Sequence, residues 1–365
     1  METEEIKTEN IITEDIKKKF LEKLKKLKKD NRIALVTHKT PEADADALAT
    51  AFALQYLFFQ LSCESDIFGS VNHSHPQNKT MVNKLQIDLK SRDFFEENKK
   101  NYKLIVFCDT NKGNAFLDVD PDIIVDHHTE NEIVENCIDI REKTGAASTI
   151  AFLLLEALET EPSSEVATAL AIGIASDTKD LTREDETTDM DIEAHKALLQ
   201  KSDYSLFARI NGGYDIPRQL IKLMGEGFHN ACFGEYEAII GLGETKQAQD
   251  HYYAVIADFV FRVPGTQLVV VIGVEEGKAI RASIRTNSDL IQINDFCKKI
   301  FEADSVTDAG KASAGARPGS GGAYVPLSTR EQEEWAVADE EERKILFGIK
   351  LKRYKERIKN ELDLS

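Results

Sequence analysis

Apolar positions along the chain follow two spacings. Residues 12–30, ITEDIKKKFLEKLKKLKKD, set Ile16, Phe20, Leu21, Leu24 and Leu27 three and four apart, which predicts an amphipathic helix with a solvated, lysine-rich outer face. Short apolar runs come next: RIALVTH (32–38), CESDIFGS (63–70), KLIVFCD (103–109) and IIVD (123–126) have the length of buried strands. A long helix is expected from about Ala45 through Phe59, and small-residue helices over GAASTIAFLLLEALE (145–159) and SSEVATALAIGIASD (163–177). Strands alternating with helices predict an α/β fold, a mostly parallel sheet with helices on both faces.

Beyond residue 178 the pattern is mixed, with acidic loops, a helix around 191–200 and another near 216–229. YYAVIADFVFR (252–262), QLVVVIGV (267–274) and KAIRASIRT (278–286) are expected to be strands joined by turns, and IQINDFCKKIF (291–301) a helix. A glycine-rich loop at 310–322 and a short strand, AYVPL, complete a smaller α/β domain. The segment from Glu331 is highly charged but carries Trp335, Ile345, Leu346, Ile349 and Leu351, which suits one or two surface helices, packing on a domain or a partner among their options. The expected organisation is an N-terminal helix (1–30), a first domain (31–200), a connector (201–235), a second domain (236–328) and a charged helical tail (329–365).

Composition narrows the function. The 365 residues hold 46 Lys and Arg against 64 Asp and Glu, a net charge of −18. That balance argues against coating long nucleic acid, which needs cations to displace counterions, but leaves room for a concave site that grips one or two phosphates. The five scattered cysteines, without a Cys-x-x-Cys pair, fit a reduced compartment. The acidic N-terminus does not resemble a secretory signal, and no apolar run reaches 18 residues. A cytoplasmic protein with no membrane partner is therefore expected.

Chemistry gathers at the strand ends, where ligands bind in such sheets. The first strand runs into VTHKTPEADADALAT (36–50), with His38, Glu42, Asp44 and Asp46; later strands end at Asp109 and at Asp126-His127-His128, and a helix ends at Asp177. Any one of these has an ordinary explanation, such as a helix N-cap. Their recurrence in order does not. Imidazole and carboxylate without thiolate suit Mn²⁺, Mg²⁺ or Fe²⁺. Four aspartates, Asp44, Asp46, Asp109 and Asp177, exceed what one ion can use and match the charge of two.

The sequence resembles the DHH phosphoesterase superfamily, named for an Asp-His-His found here at 126–128, in the branch with a C-terminal DHH-associated domain. Oligoribonucleases, 3′-phosphoadenosine phosphatases, cyclic-dinucleotide phosphodiesterases and RecJ-like exonucleases belong to that branch. The matching stretches are THKTPEADADALAT (37–50), VFCDT (106–110), VDHH (125–128), GAAST (145–149), GIASDT (173–178), RASIRT (281–286) and ARPGSGGA (316–323). The resemblance implies one metal on His38, Asp44 and a bridging Asp109, and another on Asp46, Asp109, His127 and Asp177. His128 would face the substrate phosphate, Asp126 would orient the histidine pair, and a hydroxide bridging the ions would attack phosphorus. Catalysis would thus rest on His128, Asp109 and Asp126.

This chain departs from the family in two places. Asp44 lies six residues after His38 where the family spaces four, so either two residues are inserted or Glu42 and Asp44 take the ligand positions. Arg317 stands where the family has a histidine before proline; it can hold a phosphate but cannot move a proton there. Arg281, Ser283 and Arg285 alternate on one strand face, and with Arg317, Gly319, Gly321 and Gly322 they are the expected phosphate grip. The active site is expected in the cleft between the domains. The implied activity is a metal-dependent phosphodiesterase, phosphatase or nuclease, with Mn²⁺ as the leading ion. Its substrates would be short: oligoribonucleotides, linear or cyclic dinucleotides, 3′-phosphoadenosine phosphate or short single strands. A RecJ-like exonuclease and a non-catalytic nucleotide-binding or scaffold protein stand as alternatives. Oligomeric state stays open, a dimer among the options.

Overall fold

Strands β1 (Arg32–Val36), β2 (Glu64–Phe68), β3 (Leu89–Lys90), β4 (Tyr102–Cys108), β5 (Ile123–Asp126) and β6 (Ile138–Arg141) form one sheet in the order β3-β2-β1-β4-β5-β6, with every pairing parallel. The structure is a computed structural model and describes residues 12–28, 30–39, 43–71, 75–128, 134–212, 215–246, 251–288, 290–302, 306–317 and 319–362. It divides into two compact units, Met1–Asp215 and Ile216–Ser365.

In the first unit, helices α1 (Glu14–Lys25), α2 (Ala45–Gln60), α3 (Pro76–Leu85), α4 (Arg92–Asn98), α5 (Ala147–Ala157), α6 (Ser164–Asp177), α7 (Asp189–Lys201) and α8 (Tyr204–Asn211) accompany the sheet. Its strands are apolar on both faces because both are covered. Ile33 and Leu35 enter a core with residues of α1, α2, α3, α5 and α6, while Ala34 and Val36 enter another with Phe95 of α4. Side-chain oxygens of Thr13, Asp44, Ser91, Ser163, Thr188 and Asp203 cap six of these helices. The α/β class expected from the alternation of runs is the one observed.

The second unit comprises α9 (Arg218–His229), β7 (Cys232–Phe233), β8 (Glu237–Thr245), α10 (Tyr252–Val260), β9 (Leu268–Glu275), β10 (Ala279–Thr286), α11 (Ile293–Phe301), β11 (Val306–Thr307), β12 (Gly310–Lys311), β13 (Ser313–Arg317), β14 (Ser320–Pro326), α12 (Thr329–Val337) and α13 (Glu340–Leu362). The main sheet runs β13-β14-β10-β9-β8-β7, with β8 and β9 parallel and the other pairs antiparallel. One face packs on α9 and α10, the other on α11, α12 and α13.

Two expected elements need correction. Residues 252–260 are a helix, not a strand: Tyr252, Tyr253, Ile256, Ala257 and Val260 are buried at spacings of three and four, and Asp258 and Phe259 face solvent. The strand beside β9 is instead β8, whose small residues disguised it. The glycine-rich segment 310–322 is largely a β-hairpin rather than a loop. There Gly315 pairs with Gly322 and Ala316 with Gly321. Gly321 is small for packing: a Cβ there would lie 2.6 Å from the Cys297 sulfur of α11. The charged C-terminal segment forms two helices that pack on this unit, one of the roles expected for it. Trp335, Phe347, Leu351, Tyr354 and Ile358 are buried in the core of this unit, while Ile345 and Ile349 are exposed.

Candidate metal centre

The carboxyl ends of β1, β4 and β5 lie side by side in the first sheet, and each strand delivers a polar residue there. His38 follows β1 and is buried; a bridge to Ala115 and the hydrogen bond from the Lys39 N–H to the Asn114 carbonyl fix its backbone. Asp109 follows β4 with a left-handed φ of 54°, a conformation aspartate tolerates better than most residues, and its N–H donates to the Val125 carbonyl at 2.8 Å. Asp126 ends β5 and is 1% exposed. His127 and His128 follow it.

Helices supply the rest. Asp44 is the N-cap of α2, its Oδ1 accepting from the Ala47 N–H at 3.1 Å, and Asp46 lies in the first turn, where the helix dipole favours an anion. Asp177 is the last residue of α6, where that dipole disfavours one.

These side chains converge. The His38 Nε2 lies 3.6 Å from Asp44 Oδ2 and 4.0 Å from Asp109 Oδ2. The His127 Nε2 lies 3.5 Å from Asp109 Oδ1 and 3.5 Å from Asp177 Oδ2. Three groups of potential ligands result: His38, Asp44 and Asp109; Asp46, His127 and Asp177; and Asp109, His127 and His128. The six residues proposed from sequence as metal ligands are thus neighbours. Glu42, the alternative ligand, lies outside the described residues, as do the side chain of Arg317 and all of Pro318.

The donor set fits a divalent ion on electrostatic grounds. The His127 Nδ1 is 3.1 Å from the Thr144 carbonyl, which can only accept, so that nitrogen carries the proton. In the neutral ring the Nε2 lone pair then faces two carboxylates. Both that Nε2 and Asp109 Oδ1 are buried without a hydrogen-bond partner. Acceptors aimed at acceptors in a buried space repel, and a cation between them removes the conflict. Burial and then the charges of Asp46, Asp44, Asp177 and Asp126 push the Asp109 carboxyl well above the usual range. Burial likewise raises Asp46.

His128 has a different environment. Its side chain is 51% exposed, and its Nδ1 is 2.8 Å from Asp126 Oδ1, which also accepts from the His128 N–H at 3.2 Å. That carboxylate raises the imidazole above its ordinary value. Asp126 therefore holds the exposed histidine, while Thr144 holds the buried one.

Two stretches that match the family without bearing a candidate role for their small residues, GAAST and GIASDT, have a place in the centre. The Asp46 carboxylate accepts from the N–H groups of Ala147 and Ser148, at 2.6 and 2.8 Å, so the small residues of GAAST open α5 around an anion. Gly173, one turn before Asp177, sits where a Cβ would fall 2.1 Å from Ser148 Oγ and 3.0 Å from Asp46 Oδ1. A glycine inside an apolar helix, four residues before an acid, was the available signal.

In the second unit, Arg281, Ser283 and Arg285 share a face of β10, and both arginines are engaged. Arg281 pairs with Glu275 and lies over the Tyr324 ring; Arg285 pairs with Asp258 at 2.6 Å and donates to Ser283 Oγ at 3.2 Å. Gly319, with φ of 73°, immediately precedes β14, and Gly321 and Gly322 are ladder residues of that strand.

Comparison with known proteins agrees with this centre. The family model for the DHH family, N-terminal domain, matches residues 9–174, a span that carries His38, Asp44, Asp46, Asp109 and Asp126-His127-His128. Residues 9–174 are thus similar to the N-terminal domain of the DHH family. An uncharacterized protein of Methanocaldococcus jannaschii is 30% identical over 289 residues, 78% of this chain; the chain spans 58% of that relative's length. The crystal structure of an exopolyphosphatase-related protein from Bacteroides fragilis is similar in fold across 95% of this chain and 98% of its own, with a TM-score of 0.63 at 15% identity. RecJ from Thermus thermophilus, solved with Mn²⁺, is similar over 96% of this chain and 55% of its own, with a TM-score of 0.48 at 13% identity. The matched span and the clustered His and Asp side chains together mark a site suited to divalent metal.

Proposed function

We propose that the chain is a two-metal phosphoesterase that hydrolyses short nucleotides, such as oligoribonucleotides of a few residues, linear or cyclic dinucleotides, or 3′-phosphoadenosine phosphate. The observation that carries this reading is Asp109, a buried carboxylate shared between two groups of potential ligands. His38, Asp44 and Asp109 would hold one ion, and Asp46, Asp109, His127 and Asp177 the other. Bound there, two divalent ions would supply an activated water and neutralise charge on the phosphoryl oxygens. Mn²⁺ heads the candidates, with Mg²⁺ and Fe²⁺ also suited to these donors.

The chain's own groups do the rest. Thr144 fixes the tautomer of His127, so its Nε2 lone pair stays available. Asp126 aligns His128 and favours its charged form, which suits it to bind a phosphoryl oxygen or to protonate the leaving oxygen. Both Asp46 oxygens accept backbone N–H groups, and each keeps a second lone pair for a ligand. Asp44 and Asp46 fall in separate ligand groups, which supports them as first-motif ligands. Arg281, Ser283, Arg285, Arg317, Gly319, Gly321 and Gly322 are the proposed phosphate contacts of the second unit, and Ser283 and Arg285 are already joined there.

The test is a panel: purified protein with Mn²⁺, offered linear and cyclic dinucleotides, 3′-phosphoadenosine phosphate, pyrophosphate, polyphosphate and labelled single strands of rising length. Turnover is expected for the short nucleotides and is expected to vanish in Asp109→Ala. Unchanged activity in Asp109→Ala contradicts the shared-carboxylate assignment, and turnover of polyphosphate alone contradicts the substrate class. Greater loss of metal affinity in Glu42→Ala than in Asp46→Ala would reverse the ligand register.

A further inference from the structure

The turn from Glu142 to Ser148 serves the centre twice: its Thr144 carbonyl sets the His127 tautomer, and its Ala147 and Ser148 N–H groups hold the Asp46 carboxylate. His127 and Asp46 fall in the same group of potential ligands, with Asp177. That turn must therefore keep its position, yet it follows an edge strand and is built from small residues that pack little surface.

A buried acid on α7 braces it. Asp191 is 0% exposed. Its Oδ2 accepts from the Gly145 N–H at 2.7 Å and its Oδ1 from the Thr149 hydroxyl at 2.5 Å. The same Oδ2 accepts from the Thr188 N–H at 2.8 Å and from the Thr188 hydroxyl at 2.7 Å, which closes the capping box of α7. A capping box needs only the Thr188 contacts. The two bonds to residues 145 and 149 bracket Ala147 and Ser148 and are surplus to helix capping. Gly145 allows the approach: a Cβ there would lie 2.9 Å from Asp191 Oδ2 and 2.6 Å from the Thr178 methyl.

We infer that Asp191 is a positioning residue for the metal group formed by Asp46, His127 and Asp177, acting through the turn it braces. It touches neither metal nor substrate. This rests on the two-metal reading and adds a site-specific consequence: loss of Asp191 loosens one ion and spares the one on His38 and Asp44. Asp191→Asn keeps the volume but replaces one acceptor oxygen by an NH2 group, which faces either the N–H groups of Gly145 and Thr188 or the Thr149 hydroxyl and so breaks the set of bonds that Asp191 accepts.

The test is a titration of metal-free protein with Mn²⁺ alone, by calorimetry and by electron paramagnetic resonance, with Tm recorded in parallel. Wild type should take up two ions per chain. Asp191→Asn should keep one at wild-type affinity and bind the other about 10–100-fold more weakly, the loss typical when a group that orients a metal ligand is removed. Thr149→Val, which deletes a single bond to Asp191, should show a smaller loss at the same site and covers the case in which Asp191→Asn does not fold. Leu198→Ala, a buried change on the same helix, should lower Tm with both ions still bound as in wild type. Two unaltered sites in Asp191→Asn, or equal weakening of both sites or of Leu198→Ala, overturns the inference. A wild type that binds no Mn²⁺ overturns the two-metal reading instead.

Discussion

Asp109 is the side chain on which the centre turns, and its burial among carboxylates makes the metal-free protein sensitive to pH. Its carboxyl is raised in the folded chain relative to the unfolded one. Between those two values the folded state binds more protons, so stability falls as pH rises through that window. Asp109→Asn should remove this strain. The prediction is a metal-free variant with a higher Tm at neutral pH than metal-free wild type, no turnover, and less stabilisation by Mn²⁺. Thermal melts with and without Mn²⁺ check all three. Gly173 gives a second test at this scale. Alanine in a helix interior gains up to about 1 kcal/mol over glycine, whereas overpacking costs about 1–3 kcal/mol. With a Cβ 2.1 Å from Ser148 Oγ the clash should win. Gly173→Ala is expected to lower Tm and weaken Mn²⁺ binding together. In the second unit, Asp258→Asn should free Arg285 for phosphate. Because the Asp258 side chain is 53% exposed, the pair is worth about 1 kcal/mol at most, so KM should fall by no more than about fivefold.

At the scale of elements, the strands of the first sheet were legible because they are buried on both faces and so spell short apolar runs. Their ends were legible for a chemical reason: aspartate and histidine placed just after such runs have no packing role. The left-handed turn at Asp109 and the brace on α5 were not legible, and the opening of α5 was legible as a matching stretch but not as an anion holder, since backbone N–H groups leave little mark in a sequence. Helix α10 was misjudged because Tyr, Val, Ile and Phe suit strands, while its exposed positions, Asp258 and Phe259, do not mark a helix face clearly. The glycines of β13 and β14 resemble a flexible loop in composition; Gly321 instead makes room for Cys297. The orienting role of Asp126 also belongs here, because it ends a strand and holds the residue two positions on. Asp126→Asn should lower turnover by about 10–100-fold, measured under saturating Mn²⁺, and should bring His128 back toward its ordinary protonation range in an NMR titration.

For the whole molecule, charge and size constrain the substrate more than the fold does. Among the described residues no helix is long and apolar enough to cross a membrane. A net charge of −18 disfavours binding along a long strand. A protein neutralising 6–10 phosphates loses about 10³–10⁵ in affinity between 50 and 200 mM salt. Hydrolysis of a dinucleotide here should change by less than about tenfold over that range, and a steep loss would favour the exonuclease alternative. Some of the acid excess is the centre itself: Asp44, Asp46, Asp109 and Asp177 fall in the ligand groups, and two divalent ions would balance their charge. The central claim is that Asp109 is shared by two ions. It is met most directly by a crystal of the chain grown with Mn²⁺ and measured at the manganese absorption edge. Two anomalous peaks about 3.5–4 Å apart, with Asp109 touching both, are predicted. A single peak, or a pair that Asp109 does not bridge, would contradict it.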